Sequence, residues 1–351
     1  MLTLAGLLII LLISFYLLAR VCDRYFISSL EKIAKQLKMS SDAAGATLMA
    51  IGSSAPELFV AVIALIRPGG HESVGAGTIV GSALFNILVI VGASAVVKKA
   101  ILCWQPVVRD SIFYSLSIII LIFSFLDGKI IFREALVFVI LYLVYVLTVI
   151  KWRKILPYKD DAPISEPEEL PQKDKRSGWK KILTIFDLAL DKIFPSAQHH
   201  YIIFIVSIFV IAGLSWILVE SAIAMAHILH ISEAIIALTI LAAGTSIPDL
   251  VSSMIVAKRG MGGMAISNAI GSNIFDILVG LGIPWFIILA IRGGTVPVST
   301  ENLLSSVVLL FATVLAVFFL LLVRKWKIGY RAGWFLIGLY VLYLVYAIVK
   351  L

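Results

Sequence analysis

The stretch Ala242–Gly282 reads AAGTSIPDLVSSMIVAKRGMGGMAISNAIGSNIFDILVGLG and sets two carboxylates, Asp249 and Asp276, inside otherwise apolar runs. Each has small residues beside it, Gly244-Thr245-Ser246 ahead of Pro248 and Gly271-Ser272-Asn273 ahead of Phe275. A charged carboxylate in hydrocarbon costs several kcal/mol, so such residues face a cavity or a partner and are functional candidates. A glycine and a proline in one apolar segment interrupt the helix where the carboxylate sits. The carbonyls and hydroxyls freed there become oxygen ligands.

The same pattern occurs earlier, from Ala50 to Gly92: AIGSSAPELFVAVIALIRPGGHESVGAGTIVGSALFNILVIVG. Gly52, Ser54, Pro56, Glu57 and Leu58 match Gly244, Ser246, Pro248, Asp249 and Leu250 at an offset of 192. Gly81, Ser82, Phe85, Ile87 and Leu88 match Gly271, Ser272, Phe275, Ile277 and Leu278 at an offset of 190, and Asn86 falls where Asp276 falls. The slip of two is absorbed in the polar turn between the paired segments. Ordered matches at a fixed offset mark an internal duplication.

The chain has 351 residues, of which 61% are hydrophobic and 14% charged. Soluble domains are about 45–50% apolar, so the composition and a mean hydropathy of +1.06 describe an integral membrane protein with the lipid bilayer as its solvent. The net charge of +8 is no sign of nucleic-acid binding, because the basic residues lie in turns between apolar spans. Cys22 and Cys103 border apolar spans without metal-ligand spacing and read as free thiols. The first residues lack a basic leader and an A-x-A site, so they read as a retained span rather than a signal peptide.

Apolar spans fall near 3–19 (continuing as a helix toward 37), 43–66, 75–97, 111–126, 130–150, 201–229, 234–257, 264–291, 303–323 and 332–349. The expected fold is all-α and membrane-integral, with ten transmembrane helices. It divides into a five-helix repeat over 1–150, a linker over 151–200 and a second repeat over 201–351. An odd number of spans per repeat inverts the second copy, so the two motifs meet near the midplane. With both termini outside, the inner segments carry 22 Lys and Arg and the outer ones five. By the positive-inside rule both termini are outside and the linker is cytoplasmic; the expected location is the plasma membrane.

The linker opens with charged residues and Pro157, Pro163, Pro167 and Pro171, and reads as a flexible tether. From Trp179 to Phe194 it is amphipathic and reads as a helix on the inner membrane surface. Arg20, Asp23 and Arg24 read as a self-paired interfacial cluster. Ser40-Ser41-Asp42 and Ser232-Glu233 read as helix N-caps. Glu220 has no evident partner, and His227 with His230 is weak support for a metal site.

If the repeats meet antiparallel, Glu57 faces Asp249, flanked by Asn86 and Asp276 and surrounded by Ser53, Ser54, Ser82, Thr245, Ser246 and Ser272. All offer hard oxygen and none offers sulfur or imidazole. Such a set suits Ca²⁺ or alkali cations and argues against zinc or copper. Glu57 and Asp249 neutralise the two charges of Ca²⁺, and Asp276 adds a third negative charge where the first repeat has neutral Asn86. Buried carboxylates need cations or protons whenever the site is dry. That requirement couples one ion to another, which is antiport. Small residues also pack helices closely, which accounts for the glycines without a binding role. Asn273, whose counterpart is Ala83, stays open between a ligand and a structural part.

The motifs G-S-S-A-P-E (52–57), G-T-I-V-G-S-A-L-F-N (77–86), G-T-S-I-P-D (244–249) and G-S-N-I-F-D (271–276) resemble the α-repeats of the sodium/calcium exchanger (cation/Ca²⁺ antiporter) superfamily, most closely its potassium-dependent branch. The resemblance implies ten helices, a midplane site and Ca²⁺ exchanged for Na⁺. It implies Glu57 and Asp249 as central Ca²⁺ ligands, with Ser53, Ser54, Thr245 and Ser246 lending oxygens and Ser82, Asn86, Ser272 and Asp276 completing the ring. It ties Asp276 to K⁺ co-transport. Gly263 stands where that branch often has an acid, and the linker is too short for a calcium-sensing domain. The partners are then inorganic cations and the lipid bilayer, with no prosthetic cofactor, no nucleic acid and no obligate protein partner. The expected mechanism is alternating access, with spans one and six sliding against spans two, three, seven and eight. An H⁺/Ca²⁺ exchanger, a passive Ca²⁺ channel and an intramembrane aspartyl protease using Asp249 and Asp276 are the competing readings. The G-x-G-D context of such a protease is absent at both aspartates.

Overall fold

A computed structural model describes residues 3–36, 50–156, 178–195, 199–258, 260–298 and 300–349. Almost all of it is helix, as lipid demands of a chain whose backbone groups must find partners within their own segment. Among the described residues eight helices are long and apolar enough to cross a membrane, or nine if the bent pair Glu233–Thr245 and Ile247–Lys258 counts as one span. The tenth expected span is described only in part, as helices Ala50–Ser53 and Ala55–Ile66, because its beginning falls in 37–49. The Ser40-Ser41-Asp42 cap lies outside the described residues. Ser232 does cap its helix, accepting from the Ala234 amide at 3.3 Å. Apolar side chains such as Phe209 and Ile291, 73% and 76% exposed, face outward, as a lipid-facing belt requires.

The elements follow one another in the same order in both halves. A helix breaks at Ser54 in the first half, with Pro56 starting its continuation. Its counterpart breaks at Ser246, bends by 41° and continues with Pro248. Proline tolerates the first turn of a helix because its missing donor is an orphan there anyway. The next helix, Glu72–Phe85, passes into a π-helical segment, Asn86–Ile90, and then into helix Val91–Val97. Helix Gly262–Phe275 likewise passes into the π segment Asp276–Leu281 and helix Gly282–Arg292.

Packing exchanges the halves. Helix Ala55–Ile66 rests on Asp276–Leu281 and Gly282–Arg292, while Ile247–Lys258 rests on Asn86–Ile90 and Val91–Val97. Helix Phe132–Ile155 packs on Gly282–Arg292, while Tyr330–Val349 packs on Val91–Val97. Two short antiparallel strand pairs repeat the theme. β1 (Ala100–Ile101) pairs with β4 (Lys327–Ile328), and β2 (Lys129–Ile130) with β3 (Val296–Pro297). The turns holding β1 and β4 were both expected on the inner side and those holding β2 and β3 on the outer, and each set meets at one place.

Two hydrophobic clusters form. One joins the long helices Leu4–Val21 and His200–Leu229 with Val60 and Ala64, and takes in Leu190 and Phe194 of the linker. The other holds most of the remaining spans, around Tyr114, Phe138 and Trp285. Glycines set the closest helix approaches. A methyl group on Gly77 would come 2.9 Å from the Ala237 methyl, and one on Gly81 would collide with the Leu238 carbonyl.

Polar side chains at the periphery pair differently from the sequence expectation. Arg20, Asp23 and Arg24 do not pair among themselves. Arg20 forks onto Asp187 at 2.8 and 3.0 Å, Arg24 meets Asp191 at 3.1 Å, and the Tyr25 hydroxyl donates to Asp191 at 2.6 Å. Phe194 stacks on Tyr25 with ring centroids 3.8 Å apart. The amphipathic linker segment is indeed a helix, Gly178–Ile193, but its acids dock it on the first long helix. Nothing in the local pattern could show partners some 167 residues away.

Glu220 does have a partner: Arg67, which ends helix Ala55–Ile66, donates to it at 2.9 Å. His71 reaches both Glu233 carboxylate oxygens, at 2.9 and 3.0 Å. Both members of the Arg67–Glu220 pair are about a third exposed, so it should contribute under about 1 kcal/mol. Glu220→Gln is therefore expected to shift the thermal melt of the purified protein by only a few degrees, and a drop of ten degrees or more would show a larger role.

Candidate cation-binding site

The two broken helices and two π segments bring their polar side chains to one buried region. A π turn adds a residue, rotates the side chains beyond it and loosens the backbone ladder, which is why it recurs at functional positions. Of the four described π segments, two begin at a residue expected as a ligand, Asn86 in one half and Asp276 in the other, while Cys22–Ile27 and Ala237–Leu241 do not. Ser54, Glu57, Ser82, Asn86, Thr245, Ser246, Ser272 and Asp276 are all buried. Ser53 and Asp249 are partly exposed.

Hydrogen bonds join the halves. The Ser246 hydroxyl donates toward Glu57 Oε1 at 3.5 Å and lies 2.8 Å from the Ser82 hydroxyl. A hydroxyl has one proton, so Ser82 donates to Ser246 when Ser246 donates to Glu57. Asn86 Nδ2 donates to Asn273 Oδ1 at 2.8 Å and more weakly to Ser272 Oγ at 3.4 Å. Thr245 donates to its own helix, at the Leu241 and Ala242 carbonyls, which leaves its oxygen lone pairs free to accept. Ser272 donates to the Ala269 carbonyl in the same way, with one lone pair already turned to Asn86.

Four oxygens in this region are buried with no hydrogen-bond partner among the described residues: Ser54 Oγ, Glu57 Oε2, Asn86 Oδ1 and Asp276 Oδ1. A buried acceptor left unmatched costs about 1–3 kcal/mol, more when charged. Several together make a concentration of lone pairs of the kind a hard cation binds. Among the described residues no three His, Cys, Asp or Glu side chains are placed to hold a metal ion by themselves. A cation here would draw on hydroxyl and amide oxygens as well, as Ca²⁺ and Na⁺ do and zinc does not.

Tyr114 went unread in the sequence, and Asn273 was left open between a ligand and a structural part. Asn273 is fully buried; its Nδ2 donates to the Ala83 carbonyl at 3.2 Å and to the Tyr114 hydroxyl at 2.8 Å. Tyr114, also fully buried, sits in an apolar run that gives no hint of it. Asp23 stands in the π segment Cys22–Ile27 of the first helix and is exposed. Phe15 of that first helix covers Gly244, so tightly that any side chain there would displace the ring. Cys22 and Cys103 are free thiols.

Sequence comparison finds sodium/potassium/calcium exchanger 4 of Homo sapiens, 29% identical, with 95% of this chain aligned to 79% of that one. Sodium/potassium/calcium exchanger 2 of Gallus gallus is 30% identical, with 95% aligned to 75%. Among solved structures, the sodium-calcium exchanger NCX_Mj soaked with Na⁺ and Sr²⁺ superposes with a TM-score of 0.58 at 25% identity, covering 98% of this chain and 99% of that one. These relatives are exchangers, not proteases. The profile of the sodium/calcium exchanger protein family matches residues 7–151 and 199–349, both halves with the duplicated motifs inside them, and the chain therefore belongs to the sodium/calcium exchanger family of integral membrane cation exchangers.

Proposed function

We propose that the protein is a secondary antiporter that exchanges Ca²⁺ for Na⁺ by alternating access around one fixed site. The observation that carries this reading is the set of buried, unmatched oxygens on Ser54, Glu57, Asn86 and Asp276. In this reading Glu57 and Asp249 are the central Ca²⁺ ligands. Ser53, Ser54, Thr245 and Ser246 lend hydroxyl or carbonyl oxygens, and Ser82, Asn86, Ser272 and Asp276 close the shell. Bare carboxylates in a dry site are unfavourable by several kcal/mol. The protein then reorients readily only when cations fill the site, and this links Ca²⁺ movement one way to Na⁺ movement the other.

The proposed architecture is ten spans in two repeats, 1–150 and 201–351, inserted in opposite directions and joined by a cytoplasmic linker over 151–200. Both termini lie outside, in the plasma membrane. The exchange of packing partners between the halves and the two strand pairs support it. The packing of Leu4–Val21 against His200–Leu229 fits a paired unit of these two helices, whose cluster also takes in Val60, Ala64, Ala237 and Leu241 of the helices it would slide against.

The test is ⁴⁵Ca²⁺ uptake into proteoliposomes under imposed gradients. An outward Na⁺ gradient is expected to drive uptake. Uptake that ignores Na⁺ but tracks a pH gradient would make the protein an H⁺/Ca²⁺ exchanger, and uptake indifferent to any counter-ion gradient would make it a channel.

K⁺ is proposed as a co-transported ion, since Asp276 supplies the negative charge that Asn86 lacks and the matched human and chicken relatives are named for all three cations. Asp276→Asn is expected to remove stimulation by K⁺ while keeping a measurable part of Na⁺-driven Ca²⁺ uptake. Parent protein that transports equally well with and without K⁺ would end this part of the proposal.

A further inference from the structure

The geometry points to Asn273 and Tyr114 as positioning residues that fix which end of the Asn86 amide faces the cation. The inference rests on the proposed place of Asn86 in the ligand shell. A side-chain amide is nearly symmetric in shape but opposite in charge at its two ends. Its oxygen attracts a cation, whereas its NH₂ group repels one and cannot ligate it. A site that uses Asn must therefore hold it the right way round.

The hold is built as a chain of three links. Ala83 presents a backbone carbonyl, which can only accept, so the Asn273 nitrogen must face it, at 3.2 Å. The Tyr114 hydroxyl accepts from the same nitrogen at 2.8 Å, and both of its hydrogens are then used. Asn273 Oδ1 is thereby turned to Asn86, which can meet it only with its own NH₂ group, at 2.8 Å. The end left over is Asn86 Oδ1, buried and without a partner among the described residues. Reversing Asn86 would set one carbonyl oxygen against another. Reversing Asn273 as well would set its oxygen against Ala83.

The three links come from different parts of the chain. Asn86 opens a π segment of the first half, Asn273 lies one turn before one of the second, and Tyr114 belongs to helix Trp104–Phe125. Tyr114 lies outside both duplicated motifs. In the second half the residue equivalent to Asn86 is Asp276, whose carboxylate offers oxygen at either end and needs no such control. The counterpart of Asn273 is accordingly Ala83, with no amide to give.

The test compares Tyr114→Phe, Asn273→Ala and the parent protein by two readouts. One is the KM for Ca²⁺ against the maximal rate in Na⁺-driven uptake. The other is the Ca²⁺ concentration that half-saturates the thermal shift of purified protein. Tyr114→Phe keeps the ring and removes only the acceptor. It is expected to raise the KM and the half-saturating Ca²⁺ concentration together by several-fold, with the maximal rate and the cation-free melting temperature near the parent's. Asn273→Ala is expected to raise both by about tenfold or more, the size of one hydrogen bond's worth of ligand geometry. A KM unchanged in both variants would overturn the inference. So would a lowered melting temperature and maximal rate at constant KM, which is the mark of packing alone. Failure of Na⁺ to drive Ca²⁺ uptake in the parent would instead strike the exchange reading, while Ca²⁺ binding still tests the amide chain.

Discussion

Glu57→Gln is expected to abolish Na⁺-driven Ca²⁺ uptake, by more than about a hundredfold, while the protein still folds. Glu57 is buried, one of its oxygens is held by Ser246 at 3.5 Å and the other has no described partner. Gln matches its volume and removes its charge. Losing a charged partner from a desolvated contact costs roughly 2–5 kcal/mol, and every 1.4 kcal/mol is a factor of ten. Folding runs the other way, because an uncompensated buried charge is what the native state tolerates least. The cation-free melting temperature should therefore hold or rise. Near-parental uptake by Glu57→Gln would remove this carboxylate from the site. Asp249→Asn should likewise lose uptake, with a smaller gain in melting temperature because Asp249 is only partly buried.

The second large effect is expected at a glycine. Gly81 and Gly271 occupy equivalent places in the two motifs, yet their surroundings differ. A methyl group on Gly81 would collide with the Leu238 carbonyl and come within 2.6 Å of the Ala242 methyl. On Gly271 it would meet only the Tyr145 hydroxyl, at 3.9 Å. Gly81→Ala must push helix Glu72–Phe85 away from the segment Ala237–Leu241. Overpacking of this kind costs about 1–3 kcal/mol. It also pulls Ser82 from Ser246, now 2.8 Å apart. Gly81→Ala should lower the melting temperature by several degrees and cut uptake by tenfold or more, whereas Gly271→Ala should stay near the parent in both. Equal effects at the two positions would refute the asymmetry.

The duplication was legible because carboxylates, hydroxyls, glycines and prolines inside apolar runs have few other reasons to recur in order. It marked the two broken helices and the segments opened by Asn86 and Asp276, but not Tyr114, which lies outside both motifs. Geometry was less legible. Two π segments begin at Asn86 and Asp276, but an extra residue in a helical turn is settled by tertiary packing and leaves no local mark. Asn273 could not be assigned, since its function depends on Tyr114 and Ala83 across the interior. Arg67 with Glu220 and Arg20 with Asp187 are separated by 153 and 167 residues, beyond the reach of any helical periodicity. Glu233 was read as part of a cap, and its grip on His71 had no signature because a lone histidine after a Pro-Gly-Gly turn looks like solvent-facing loop.

The reciprocal packing of the halves bears on how evenly the two sides of a membrane are served. Under the proposed exchange, halves that trade packing partners let the two facing states draw on related contacts. Positions where the halves differ, such as Asn86 opposite Asp276, Ala83 opposite Asn273 and crowded Gly81 opposite open Gly271, would then favour one state over the other.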